Sequence, residues 1–156
     1  MAKKQGKKWL IGGAIVLAVV VGAGALSLAS RDVEREQKLG VFDYQACRID
    51  DVTGKKVEED NSGISTKNFI KLEQLQSITL SETTEAVTYY VNCYDEAKTF
   101  IQVDEYTADL KAEDMKAYEN LGVTYVKIEI VDPDDEEIST LDVVKVSQML
   151  EVTLLK

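Results

Sequence analysis

The chain has 156 residues, of which 28 are acidic and 18 basic, so it can hold one ordinary domain with a short anchor or tail. Its formal net charge of −10 makes nucleic acid an unfavourable partner, because like charges repel. Histidine is absent, which removes the commonest general base, so we expect neither an enzyme nor a cofactor nor a metal site.

An uncharged apolar segment, residues 9–29, follows a basic N-terminal tail, residues 1–8. A helix of this length measures about 31 Å, close to the hydrocarbon thickness of a bilayer. Lysines before the segment predict a cytoplasmic tail and a single-pass protein of the cell membrane. The alternative is a cleaved signal peptide, since Ser27 and Ala29 are small. Both alternatives place residues 41–156 outside the cytoplasm, anchored in the first case and secreted in the second.

Three small residues, Ala14, Ala18 and Gly22, lie on one side of this predicted helix. Small side chains at such spacing let two transmembrane helices approach closely, so they are a candidate contact between copies of the chain. The alternative is that the segment is merely rich in alanine and glycine. The sequence leaves the oligomeric state open.

The segment after the apolar run, residues 30–40, is predicted to be a short helical stalk. Arg31 and Glu34 have the spacing of residues that pair on one face of a helix. Gly40 is a natural helix end, because glycine readily adopts the conformation that terminates a helix.

The remaining residues, 41–156, are predicted to form an extracytoplasmic β domain. Apolar residues alternate with polar ones, and β-branched and aromatic side chains dominate, which is typical of strands. Residues 107–122 have the pattern of one short helix, and residues 50–66 that of a long polar loop or an irregular edge. Their succession favours an antiparallel β-sandwich. The predicted strands are 41–49, 67–72, 76–80, 87–94, 98–103, 123–131, 142–147 and 150–155.

Four motifs follow one another in this domain: F-x-Y leading to I-D-x-x-T-G (42–54), I-S-T-K-N-F-I (64–70), Y-x-V-x-x-Y-D (89–95) and Y-V-K-I-E-I (125–130). Their order resembles that of jelly-roll, carbohydrate-binding-like β-sandwich modules of bacterial cell-surface proteins and phage tail proteins. Residues 66–69 and Lys127 depart from the family pattern, in which R-T-x-x-Y and an arginine are usual. The resemblance implies a jelly-roll-like fold and transfers no binding site.

Two features of the domain have alternative interpretations. Cys47 and Cys93 are the only cysteines and lie on predicted strands. They form either a disulfide, as is common outside the cytoplasm, or two buried free thiols. The acidic run 132–137 is predicted to be an exposed hairpin loop. Whether it binds Ca²⁺ is left open, because one loop rarely supplies enough oxygen ligands.

The candidate ligand-binding residues are Tyr90, Asn92 and Tyr94. Alternation along the strand places them on the face opposite to the predicted core face of Tyr89 and Val91. Two tyrosines flanking an amide resemble a platform on which sugars stack, although cross-strand packing also explains tyrosines in a strand.

The sequence thus favours a membrane-anchored, extracytoplasmic binding or adhesion module for a cell-surface glycan. The alternative is a structural subunit that makes protein–protein contacts in an envelope or phage-like assembly.

Overall fold

A computed structural model of the chain describes residues 35–57, 60–81, 88–131 and 140–156. Residues 35–156 form one compact unit. The predicted basic tail, the apolar segment 9–29 with its small residues, and the acidic run 132–137 lie outside the described residues. Within these described ranges, no helix is long and apolar enough to cross a membrane.

The described residues contain ten β-strands and two α-helices. The strands are β1 (Glu36–Lys38), β2 (Tyr44–Ala46), β3 (Gly63–Thr66), β4 (Ile70–Lys71), β5 (Leu75–Leu80), β6 (Tyr89–Tyr94), β7 (Phe100–Tyr106), β8 (Leu110–Lys111), β9 (Tyr125–Val131) and β10 (Leu150–Leu155). The helices are α1 (Ala112–Asn120) and α2 (Thr140–Met149). Two short 3-10 turns, Val41–Asp43 and Leu72–Gln74, precede β2 and β5.

The strands pair in two antiparallel sheets. Sheet 1 has the order β1-β10-β5-β8, and sheet 2 has the order β2-β3-β9-β6-β7. Strand β4 pairs with the first residues of β9, whereas β3 pairs with its last residues. The predicted mainly β, antiparallel architecture is therefore confirmed.

The main hydrophobic core contains residues of both sheets and of α1. Tyr89, Val91 and Cys93 of β6 face this core and are fully buried, as are Ile78 and Val152 of sheet 1. Alternation along β6 explains why every second residue points inward. The predicted core face of this strand is confirmed from Tyr89 onward.

A smaller core lies beneath α2, where Val143 packs with Tyr44 and Ile64. The prediction of a strand over residues 142–147 is wrong, because this segment belongs to α2. Its β-branched residues favour a strand locally, but Val143 and Val146 lie one helical turn apart and both pack against this core. Burial outweighs local propensity, and the domain has two described helices instead of one.

Two further predictions from the sequence are corrected at the edges of the sheets. Residues Glu36–Lys38 form strand β1 against β10, so the helical stalk predicted over 30–40 is wrong there. Their charged, exposed side chains suit an edge strand, because they discourage pairing with other chains. Residues Gly63–Thr66, predicted as part of the loop 50–66, form β3 in the interior of sheet 2.

Removing residues 35–40 is expected to lower the free energy of unfolding of the 35–156 unit by about 3 kcal/mol. The deletion removes two backbone hydrogen bonds between Arg35 and Lys156, of 2.8 and 3.0 Å, and one of 3.0 Å from Leu39 N to Val152 O. It also removes the Leu39 side chain, which packs against both cores. Urea unfolding of the 35–156 and 41–156 fragments measures the difference.

A variant of one β1 side chain serves as the control, because it removes a charge of the strand without removing its pairing with β10. Lys38→Ala in the 35–156 unit removes the exposed ion pair of Lys38 with Glu151 but keeps the strand, so a loss below about 0.5 kcal/mol is expected. Equal unfolding midpoints for the two fragments would show that β1 contributes nothing to stability.

Candidate functional site

The candidate residues Tyr90, Asn92 and Tyr94 lie on the face of sheet 2 that points away from the main core, hereafter the outer face. Their placement on this face agrees with the sequence prediction. Asn92 is fully buried and Tyr94 is 2% exposed, and only Tyr90 is partly accessible. Asn92 and Tyr94 are therefore not open to a stacking ligand, and contact of the three side chains with a ligand stays a prediction.

A hairpin-like segment, Cys47–Val57, covers part of the outer face and is hereafter called the flap. Its two arms are joined by a bridge between Ile49 and Lys56 and by a 3.0 Å hydrogen bond from Val57 N to Arg48 O. At its tip, Asp50 Oδ1 accepts hydrogen bonds from Thr53 N and Oγ1, at 2.6 and 2.8 Å. These hydrogen bonds lower the pKa of Asp50 and fix the turn, as short acidic side chains often do.

The flap is attached to the outer face at two points. Near its tip, the Tyr94 hydroxyl donates a 2.6 Å hydrogen bond to Gly54 O, and Gly54 lies against the ring of Phe100. Near its base, Ile49 N donates a 2.7 Å hydrogen bond to Glu129 Oε1. Burial raises the pKa of Tyr94, so its hydroxyl stays protonated and remains a donor.

Three polar side chains are buried beside the flap: Glu129, Asn92 and Ser65. Asn92 Nδ2 donates a long, 3.4 Å hydrogen bond to Glu129 Oε2, while Asn92 Oδ1 and Ser65 Oγ have no hydrogen-bond partner. Burial raises the pKa of Glu129 to about 6, opposed by the hydrogen bonds from Ile49 N and Asn92. Buried polar groups without partners are uncommon, so this cluster is sensitive to the protonation of one carboxyl group.

The two cysteines are free and buried, as the alternative of two buried thiols predicts. Cys93 faces the main core, whereas Cys47 lies on the outer face, where burial raises the pKa of its thiol against the opposing effect of the Lys56 charge. Cys47 Sγ donates to Arg48 O at 3.2 Å, and burial raises its pKa, so the thiol stays protonated at neutral pH.

Beside the flap, a group of partly exposed side chains forms what we call the lysine–aromatic patch: Phe69, Tyr125, Lys98 and Lys127. The Phe69 ring meets Tyr125 edge-on with centroids 6.0 Å apart, and it packs on the buried Tyr94 ring at 4.9 Å. Lys98 Nζ lies 5.1 Å and Lys127 Nζ 4.9 Å from the centroid of Phe69. Both distances are within the range of favourable cation–π contacts.

The two lysines of the patch form no ion pair with another described residue. Between described residues, ion pairs join Lys38 to Glu151 and Lys71 to Glu73, and none involves Lys98 or Lys127. Lys127 Nζ donates to a backbone carbonyl, that of Lys67, at 3.3 Å. Burial lowers the pKa of Lys127, and the nearby Lys56 lowers it further.

Lys98 has a backbone conformation that is unusual for a residue with a side chain. Its φ is +62°, in the left-handed region that glycine and asparagine favour. The turn that holds it is closed by hydrogen bonds from Lys98 N to Asp95 O and from Asp95 N to Thr99 O, of 3.0 and 2.9 Å. Glycine would adopt this backbone conformation at a lower free-energy cost than lysine does.

The described residues offer little for metal binding. Among them, no three His, Cys, Asp or Glu side chains are close enough together to hold a metal ion. Asp60, like Asp50, is used within its own loop, where Oδ1 accepts from Ser62 N at 2.9 Å and from Ser62 Oγ at 2.6 Å. The question of Ca²⁺ in the 132–137 run concerns residues outside the described ranges.

Comparison of the chain with protein-family models, curated proteins and solved structures finds no match.

Sequence reasoning missed most of the lysine–aromatic patch, because its members come from separate segments. Phe69 lies just before β4, Lys98 lies in the β6–β7 turn, and Tyr125 and Lys127 lie on β9.

Proposed function

We propose that the chain is a membrane-anchored, extracytoplasmic binding or adhesion module and that its ligand is a glycan of a cell surface. The apolar segment 9–29 supports the anchor, since it is long enough to span a bilayer. The lysine–aromatic patch is the proposed contact surface, in place of Asn92 and Tyr94.

The order of the strands supports the jelly-roll-like fold within this proposal. If β3 and β4, which pair with the two ends of β9, are counted as one strand and β2 as an additional edge strand, each sheet has four strands. Successive strands along the chain then alternate mostly between the sheets. This order is expected of a jelly roll, which consists of two sheets linked by Greek-key connections.

The observation that carries the proposal is the pair of partly exposed rings, Phe69 and Tyr125, supported from below by Tyr94. Aromatic rings held rigidly by other rings supply contact area at low entropic cost. Sugar rings present apolar C–H faces that stack on such surfaces, and the neighbouring hydroxyl groups can accept hydrogen bonds from the lysines.

Replacing Phe69 and Tyr125 together by alanine is expected to weaken binding of a bacterial surface polysaccharide by about tenfold or more, as loss of a central aromatic contact usually does. A glycan array probed with the full-length chain identifies the ligand, and calorimetry measures the loss. Val144→Ala is the control, because Val144 is an exposed apolar residue of α2. If the wild-type chain binds no glycan on the array, the proposal fails.

A structural role in a protein assembly is the second candidate. It is favoured by Phe42, whose side chain is 86% exposed in the turn before β2. Aromatic side chains are frequent among the residues that anchor protein interfaces, so Phe42 is the proposed contact. Copurification of a stoichiometric protein partner that is lost in Phe42→Ser would support this alternative.

A further inference from the structure

We propose that the lysine–aromatic patch selects an anionic glycan, a sugar chain whose units carry carboxylate or phosphate groups. This inference rests on the proposed glycan-binding function and specifies the chemical class of its ligand.

The positive charge at the patch favours an anionic ligand. Residues 31–156 contain 28 acidic and 14 basic side chains, so two lysines on one aromatic ring contrast with the acidic balance of the domain. At the patch, Lys98 and Lys127 share one aromatic ring, and Lys56 is near enough to affect the titration of Lys127. Gathering like charges costs free energy unless a counter-charge is present. An anionic ligand supplies that counter-charge.

The two lysines of the patch also have hydrogen-bond donors left for a ligand. Lys127 Nζ uses one of its three donors on Lys67 O, at 3.3 Å. Lys98 Nζ makes no hydrogen bond to a described residue and lies over Phe69 and Tyr125, at 5.1 and 5.5 Å from their centroids. Asp95, at the start of the same turn, is engaged because its Oδ1 accepts from Thr99 N at 2.8 Å. The two ammonium groups are therefore available to an incoming anion.

The backbone conformation of Lys98 also indicates a role in binding. Its φ of +62° is less favourable for lysine than for glycine, yet the position holds the side chain that lies over both rings. A residue kept in an unfavourable conformation points to a role other than stability.

The combination of rings and charges distinguishes a sugar from a simple anion. Phosphate or carboxylate alone would use the lysines and leave Phe69 and Tyr125 exposed. A sugar chain stacks one face on the rings and presents its anionic groups to the ammonium groups on either side.

The test measures binding of the full-length chain, kept in detergent micelles, to two polymers of the same length and linkage. One is a polyuronate, and the other is the neutral polymer made from it by reduction of its carboxyl groups. We expect at least about tenfold tighter binding of the polyuronate, declining as salt is raised. Equal affinity would overturn the anionic ligand while leaving the glycan-binding function standing, whereas binding to neither polymer would overturn both.

Two further arms identify the anionic group and the role of the sugar. A sugar-phosphate polymer that binds more tightly than the polyuronate also supports the proposal and identifies phosphate as the group recognised. Inorganic polyphosphate, which lacks sugar rings, should bind more weakly than either. If it binds as tightly, the patch is a general anion-binding surface and the proposal is wrong.

Three variants test the residues. Lys98→Gly relieves the unfavourable φ, so we expect a higher unfolding temperature together with about fivefold weaker polyuronate binding. Lys127→Met keeps the apolar stem and should weaken binding similarly. Lys116→Met, at an exposed position of α1, is the control. Unchanged affinity in both Lys98→Gly and Lys127→Met, or an equal loss in Lys116→Met, would overturn the proposal.

Discussion

Replacing Gly54 by alanine is expected to detach the tip of the flap and to lower its docking free energy by about 3 kcal/mol. The φ of Gly54 is +65°, which costs a residue with a Cβ about 1–2 kcal/mol. The added Cβ would lie 2.2 Å from Cδ2 and 2.7 Å from Cβ of Phe100. Because the clash reaches the Cβ of Phe100, rotation of the ring cannot relieve it, and such overpacking costs about 1–3 kcal/mol more.

The two free thiols report on the flap and on the core separately. Cys47 is at the base of the flap and 1% exposed, whereas Cys93 is fully buried between the sheets. A loss of about 3 kcal/mol raises the open population of the flap about 100-fold, so Cys47 should react that much faster with a thiol reagent. Cys93 should keep its protection, and peptide mass spectrometry distinguishes the two sites.

Gly122 is the matched control for Gly54. It also has a positive φ, +78°, but nothing lies within 4 Å of a Cβ placed there. Gly122→Ala should therefore lower the free energy of unfolding only by the conformational cost of a positive φ, about 1 kcal/mol. Cys47 should stay protected in this variant. If Gly54→Ala leaves the labelling of Cys47 unchanged, the contact of Gly54 with Phe100 does not hold the flap.

The parts of the fold that could be predicted are those in which local pattern and burial agree. Strands β5, β6, β9 and β10 combine β-branched residues with burial on the core side, so their periodicity identifies them. Helix α2 could not be predicted, because its side chains prefer strands and only the small core of Tyr44 and Ile64 makes the helix favourable. Strand β1 depends on β10, more than a hundred residues later in the chain.

The face on which the candidate residues lie could be predicted from the sequence, but the burial of Asn92 and Tyr94 could not. Alternation correctly placed Tyr90, Asn92 and Tyr94 on one face, since this depends on the strand alone. The cover over Tyr94 comes from the flap, a polar segment whose composition is that of an exposed loop. Its attachment to Glu129 and Tyr94 depends on hydrogen bonds across 80 and 40 residues of sequence. No local sequence pattern indicates hydrogen bonds between residues so far apart in the chain.

Glu129→Gln is expected to stabilise the protein at pH 7 by about 2 kcal/mol and to leave its stability at pH 4.5 unchanged. The pKa of Glu129 is raised from the ordinary 4.5 to about 6 by burial. Between these values the folded protein binds a proton that the unfolded chain does not, so this contribution to stability is complete below about pH 4.5 and is lost as the pH rises through about 6. At 1.36 kcal/mol per pKa unit, the difference is about 2 kcal/mol.

The glutamine keeps the hydrogen bonds without the buried charge. Its Oε1 can accept from Ile49 N as the carboxylate does. If the Asn92 amide rotates by half a turn, the new Nε2 can donate to Asn92 Oδ1, which has no partner in the wild type. Glu129→Ala, by contrast, leaves Ile49 N and Asn92 without a partner, so we expect a loss of about 3 kcal/mol at pH 4.5. At pH 7 the loss should fall to about 1 kcal/mol, because the alanine variant also lacks the buried charge.

Urea unfolding of the wild type, Glu129→Gln and Glu129→Ala between pH 4.5 and 7.5 measures these differences. Subtracting the curves of the wild type and the glutamine variant removes the titration of the other carboxyl groups that the two proteins share. The charges that face Glu129 are opposed: Arg48 lowers its pKa and Asp60 raises it. If Glu129→Gln is less stable than the wild type at pH 7, the ionised carboxylate is required, and its attraction to Arg48 outweighs the cost of burial.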